Sequence, residues 1–325
     1  MNARSNAAGV MREKVAMRNW TADDILDQHG RTAIVTGANS GLGRIVAREL
    51  ARHGARVIVA TRDSAKGAEA AKAIKAAFPS ATVEAAQLDL ADLASVRGFA
   101  DRIRAGNPHI DLLINNAGVM AAPYRRTADG FELQLGTNHL GHFALTGLLL
   151  PLLHGRPDAR VVTVSSNNHK GGQIRFDDLQ GGGRYSRWGA YAQSKLANLL
   201  FAFELNRRLR AGGWRLISVA AHPGYSATNL QLSGPLAHER LLMRLSNRLL
   251  AQPAEMGALP LLYAATAPDL PGGSYVGPDG PAEMRGHPVL VQATRRANDE
   301  ESARRLWDIS ERLTGVTYDF TEPAG

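Results

Sequence analysis

The chain has 325 residues, of which 44% are hydrophobic and 21% charged, with 33 Gly and 15 Pro; this ordinary globular composition excludes disordered, collagen-like and coiled-coil proteins. It contains no cysteine, which removes disulfide scaffolds, zinc–cysteine sites, iron–sulfur clusters and thiol nucleophiles together. The net charge of +8 comes from basic residues scattered along the chain, not from an aromatic-interleaved stripe, so nucleic acid is not expected as a partner.

Residues 1–30 read as an N-terminal tail, partly disordered. It carries Arg4, Arg12, Lys14 and Arg18 but no apolar run of a secretory signal, and Met11 and Met17 are alternative starts. From Arg31 short β-branched runs alternate with helical patterns. The predicted strands are Thr32–Thr36, Arg56–Ala60, Thr82–Gln87, Ile110–Asn115, Arg160–Ser165 and Arg215–Ala220. Between them fall predicted helices Leu42–His53, Ala65–Phe78, Leu93–Ala105, Ala128–Leu153 and Trp188–Ala211. Strands that are apolar on both faces and alternate with helices imply an α/β fold: a Rossmann-type doubly wound parallel sheet, helices on both faces, one domain over 31–325. Further on come a Leu/Arg-rich insertion (Leu230–Leu250), a helix (Glu255–Ala267), a Gly/Pro-rich stretch (Pro268–Pro288) and a terminal helix (Glu300–Leu313). Leu236, Leu241, Leu242, Leu245, Leu249 and Leu250 make the insertion a candidate amphipathic lid over a lipophilic substrate. The longest strongly apolar stretch, Phe143–Leu153, has about eleven residues. A bilayer-spanning helix needs roughly twenty, so no transmembrane segment is expected and the expected location is the cytoplasm.

The first strand leads directly into Thr36-Gly37-Ala38-Asn39-Ser40-Gly41-Leu42-Gly43-Arg44, which opens the first helix. Glycines there let the backbone approach a pyrophosphate, and the free N–H groups of the helix start face it. The second strand ends at Thr61-Arg62, where an NAD site would place a carboxylate for the ribose 2′-hydroxyl. Arg62, helped by Arg44, suits a 2′-phosphate instead, so NADP is favoured over NAD.

Tyr191 and Lys195 stand one helical turn apart, an arrangement that makes a phenol and an ammonium neighbours and lowers the phenol pKa for proton exchange. Val164-Ser165-Ser166 ends the fifth strand, where a hydroxyl can donate to a substrate carbonyl. Asn138 lies in the helix before that strand, with an amide able to hold a water. Asn115-Asn116-Ala117-Gly118 ends the fourth strand and leaves room for a ribose. After the sixth come His222-Pro223-Gly224, with Ser226 and Thr228 available to an amide.

With these residues in order, the chain resembles the short-chain dehydrogenase/reductase family over about Arg31 to Leu313. LLINNAGVM, FELQLGTNHLGHFALT and YAQSKLANLLF are most similar to its retinol dehydrogenase-like and protochlorophyllide reductase-like branches. The resemblance implies Tyr191 as general acid/base, Lys195 on the nicotinamide ribose, Ser166 on the carbonyl, and Asn138 anchoring a water in a proton relay. It also implies Asp89, followed by Leu90, at the adenine and Thr228 at the carboxamide. The implied activity is NADP-dependent hydride transfer between nicotinamide and a carbonyl or alcohol, with no metal. The Ser166–Tyr191 spacing is about a dozen residues longer than the family usually shows. The extra segment, Gly171–Arg187, is expected to be a mobile loop by the substrate mouth, one that could also shield a dimerising helix surface, so a dimer or tetramer is possible but not specified. The lack of cysteine speaks against light-driven protochlorophyllide reduction. The alternatives are a non-catalytic NADP-binding sensor, disfavoured by the presence of all four catalytic-type residues, and a sugar-nucleotide epimerase, disfavoured by the glycine spacing.

Overall fold

The computed structural model describes residues 19–226 and 252–321. Thr228 and the Leu230–Leu250 insertion lie outside the described residues. Eight strands form one sheet: β1 (Thr32–Thr36), β2 (Arg56–Thr61), β3 (Val83–Gln87), β4 (Leu112–Asn115), β5 (Arg160–Val164), β6 (Ile217–Ala221), β7 (Tyr275–Pro278) and β8 (Pro288–Leu290). Their order is β3-β2-β1-β4-β5-β6-β7-β8, parallel except for the β7–β8 pair. The direction of winding reverses between β1 and β4, the place where open α/β sheets leave a ligand crevice at their carboxyl edge.

The long helices are α1 (Gly41–Arg52), α2 (Ser64–Ala77), α3 (Leu93–Gly106), α4 (Gly141–Leu153), α5 (Arg187–Ala211), α6 (Ala254–Thr266) and α7 (Glu300–Thr314). Alternate strand residues divide between two apolar layers, as the pleat requires. Val35, Val57, Val59 and Ile114 pack under α1 and α6, whereas Ile34, Ile58 and Leu113 pack under α3 and α4. Buried Asp111 fastens the amino edge. Its carboxylate accepts from Thr32 N at 2.8 Å and pairs with Arg156 Nε at 2.8 Å.

The structure departs from the sequence reading in four places. The pattern Ala128–Leu153 is not one helix. Thr127 N bonds Phe131 O at 2.8 Å around Gly130, Asp129 is spent on Leu93 N at 3.0 Å, and helical turns begin only at Leu133, capped by Glu132. The Gly/Pro-rich stretch holds β7 and leads into β8, because Tyr275 and Val276 find a free sheet edge beside β6. Residues 19–30 are folded: Thr21 caps a short turn, the Trp20 ring meets Tyr263 edge-on at 5.2 Å, and Ile25 is buried. The expected mobile loop at 171–187 is docked, as described below. Among the described residues no helix is long and apolar enough to cross a membrane.

Asp111→Asn keeps the size of the side chain but removes its charge from buried donors. It is expected to cost about 1–3 kcal/mol, measured by urea unfolding.

Candidate active site

The glycine loop is shaped by contact. Gly37 has φ +67° and lies against Ala117, and a Cβ on Gly43 would stand 2.5 Å from Asn116 Nδ2 and 2.7 Å from Gly37 O. The loop and the β4 end are therefore pressed together, a closeness only glycine permits. Asn39, Ser40 and Leu42 are partly exposed at this edge, and Ser40 is the N-cap of α1 with its hydroxyl not used for capping. At the β2 end Thr61 is buried, and Asp63 is committed to the start of α2, accepting from Lys66 N at 3.1 Å. No free carboxylate remains there, while Arg44 and Arg62 are exposed. Asp89 Oδ1 accepts from Ala91 N at 2.9 Å, and buried Leu90 backs it. The Asn115 amide does not reach this crevice. It turns under the sheet to Thr146 Oγ1 at 3.0 Å, leaving only backbone at the edge.

Four elements converge at the β4–β5 carboxyl ends. Lys195 is 2% exposed, and its Nζ donates to Val164 O at 3.1 Å and lies 5.7 Å from the centroid of the Tyr191 ring. A Cβ on Gly118 would stand 3.7 Å from that Nζ. Burial pulls the ammonium down to about 8 and pushes the Tyr191 phenol up to about 12, with the Ser166 hydroxyl opposing the second shift by hydrogen bonding. The direction at Tyr191 is thus upward, with burial the larger cause and Ser166 the opposing one. The two serines are distinguished by their partners. Ser165 Oγ is spent on Lys195 O at 2.8 Å, whereas the Ser166 hydroxyl faces Tyr191.

Asn138 sits in a π-helical turn, Gly136–Leu140, that runs into α4. Its amide is a clamp. Nδ2 donates to Val119 O and Ser194 Oγ, each at 2.9 Å, and Oδ1 accepts from Val119 N at 2.8 Å. Its main-chain oxygen faces His142 Nδ1 at 3.0 Å. At the β6 end, Gln252 Nε2 donates to Pro223 O at 2.9 Å, and Ser226 Oγ bonds the same oxygen at 2.7 Å. Gly224 N and Tyr225 N are held by His222 Nδ1 and Met284 O.

Sequence reasoning missed two members. The Thr36 hydroxyl accepts from Asn116 N and Ala117 N, both at 2.9 Å, and meets His142 Nε2 at 3.0 Å. A histidine four residues after Asn138, on the same helix face, was the available signal.

The family model for short chain dehydrogenases matches residues 31–235. The chain belongs to that family. Retinol dehydrogenase 14 of Mus musculus is 43% identical over 302 residues, spanning 89% of this chain and 87% of its own length. Polyprenol dehydrogenase of Mus musculus is 46% identical over 300 residues, with 89% and 85% covered. A crystal structure of an uncharacterized protein from Mycobacterium paratuberculosis superposes with TM-score 0.77 at 50% identity, covering 92% of this chain and 99% of that one. A short chain dehydrogenase from Shigella flexneri complexed with NADP gives TM-score 0.58 at 25% identity, with 75% and 93% covered. This short-chain dehydrogenase is accordingly an oxidoreductase of the hydride-transfer class.

Lys195 titrates near 8 in the fold against an ordinary 10.5. Between those values the unfolded chain binds a proton that the folded one has released, so this group adds stability as pH rises. Lys195→Met is expected to melt higher than the wild type at pH 7, by a margin that shrinks towards pH 10, in thermal melts across that range.

Proposed function

We propose that this chain uses NADPH to reduce the carbonyl of a lipophilic substrate, with Tyr191, Lys195 and Ser166 as the groups that meet the cofactor and substrate. The observation that carries the reading is the buried Lys195 ammonium, bonded to a single carbonyl and lying 5.7 Å from the ring of the phenol one turn before it. A buried cation with unspent donors suits ribose hydroxyls, which would use N–H groups that the protein leaves free.

The residues present fit a dinucleotide. The pressed glycine loop offers backbone N–H groups, Gly118 leaves space beside Lys195, and the β2 end lacks the acceptor an unphosphorylated ribose would want. Arg62 and Arg44 then supply the charge for a 2′-phosphate, and the NADP held by the Shigella flexneri relative supports the same choice. The cofactor, when bound, supplies the hydride and takes it back in the reverse direction. The protein's part is to orient and to protonate. Ser166 donates to the carbonyl oxygen and polarises it. Tyr191, which burial keeps protonated at neutral pH, would hold its hydroxyl proton for that oxygen. Lys195, largely protonated below pH 8, stabilises the phenolate left behind.

The exposed Tyr124 and Trp188 rings support an apolar entrance; Trp188 lies 6.2 Å from the Tyr191 ring. The retinol and polyprenol for which two relatives are named are lipophilic alcohols, in keeping with that entrance.

Tyr191→Phe is expected to lower turnover by about 10²–10⁴-fold, the usual worth of a positioned acid/base, with NADPH affinity unchanged in thermal-shift titration. Undiminished turnover overturns the assignment. Arg62→Ala is expected to weaken NADPH about 10–100-fold, the worth of one charge-assisted contact, and to leave NADH binding as it was.

A further inference from the structure

The segment between Ser166 and α5 is built into the wall beside Tyr191. Leu179 is buried with the α5 leucines, and Gln193 on α5 grips the segment through Arg175 N at 2.9 Å and Leu179 O at 3.1 Å. Its far end reaches the chain that follows β4. The Tyr185 hydroxyl shares its one proton between Ala122 O at 2.9 Å, the nearer acceptor, and Glu132 Oε1 at 3.1 Å, and accepts from Gln134 Nε2 at 2.9 Å. Gln180 Oε1 accepts from Glu132 N at 2.7 Å. The Glu132 carboxylate is buried and accepts Gln134 N and Leu135 N, at 2.9 and 2.7 Å.

What Tyr185 holds is strained. Ala121 is fully buried with φ +48°, a conformation that costs a non-glycine residue of order 1–3 kcal/mol and persists only where its surroundings over-determine it. Met120, Ala121 and Tyr191 form a separate apolar cluster. The two residues Met120–Ala121 are therefore an arch fixed at both feet. Asn138 clamps Val119 on one side through two hydrogen bonds, and Tyr185 clamps Ala122 on the other. The crown of the arch rests on the proposed proton donor.

We propose that Tyr185 is a positioning residue that fixes the Met120–Ala121 arch against Tyr191 and so sets the width of carbonyl the site accepts. The inference rests on the reading of Tyr191 given above. It assigns to the extra segment a role in substrate selection, exerted through one phenolic hydroxyl and the backbone it holds.

Tyr185→Phe keeps the ring, which packs edge-on against Tyr124 at 5.1 Å, and removes only the hydroxyl. Leu179→Ala is the control, because it loosens the same segment without touching Ala122. Two measurements are compared: hydrogen–deuterium exchange of the peptide spanning 117–124, and the ratio of kcat/KM for nonanal to that for the broader 2-acetylnaphthalene, with NADPH. Tyr185→Phe is expected to speed exchange at 120–122 and to change the ratio about ten-fold, chiefly through KM. NADPH binding is expected to be unaltered, and Leu179→Ala to lower only the melting temperature. Unchanged exchange in Tyr185→Phe, an unchanged ratio, or an equal shift of the ratio in Leu179→Ala overturns the proposal; if neither carbonyl is reduced, the exchange readout decides alone. An active Tyr191→Phe would instead overturn the site reading, whereas an inactive Tyr191→Phe beside an indifferent Tyr185→Phe sinks the arch alone.

Discussion

Thr36 ends β1 at the point where the sheet reverses its winding, and its hydroxyl joins the two halves there. The oxygen accepts from the backbone of Asn116 and Ala117, on the far side of the switch, and its proton is shared between His142 Nε2 at 3.0 Å and Ile114 O at 3.2 Å. The direction of the bond to His142 follows from the ring. His142 Nδ1 faces the Asn138 carbonyl, which can only accept, so Nδ1 carries the hydrogen and Nε2 is bare. Burial, pulling His142 down to about 4, keeps it in this neutral form. From Asn138 the chain of bonds continues to Val119 and to Ser194 on α5. The glycine loop, the β4 end and the helix bearing Tyr191 and Lys195 are thereby placed by one connected set of buried bonds. Leaving any partner unpaired would cost about 1–3 kcal/mol, so the set holds together or fails together.

Within that frame burial acts on both Tyr191 and Lys195 in the direction of neutrality. It raises Tyr191 and lowers Lys195, and the gap between about 12 and about 8 keeps the proton on the phenol and leaves the amine easily discharged.

The sequence made most of the parallel sheet legible because β1, β2, β4, β5 and β6 are apolar on both faces, and the layers reuse that alternation. The glycine loop, Ser166, Tyr191 and Lys195 were legible because each sits at a strand or helix end whose position the periodicity fixes. Three features were not. Strands β7 and β8 are short, and their Gly- and Pro-rich neighbours read as loop until β6 offers an edge. The docking of residues 171–187 depends on Ala122, Glu132 and Gln193, partners far off in sequence or hidden inside another helix pattern. The Asn138 amide looked free for solvent, and only the fold shows that Val119 and Ser194 use both of its N–H donors.

The helix α5 presents a buried surface from Ala190 to Asn206. Residues 174–179 clothe one flank, α7 another, and the sheet the third. In an assembly whose copies meet through such a helix, the neighbouring copy would supply that cladding. Here segments of the same polypeptide wrap the helix, so the dryness around Tyr191 and Lys195 is supplied from within the chain.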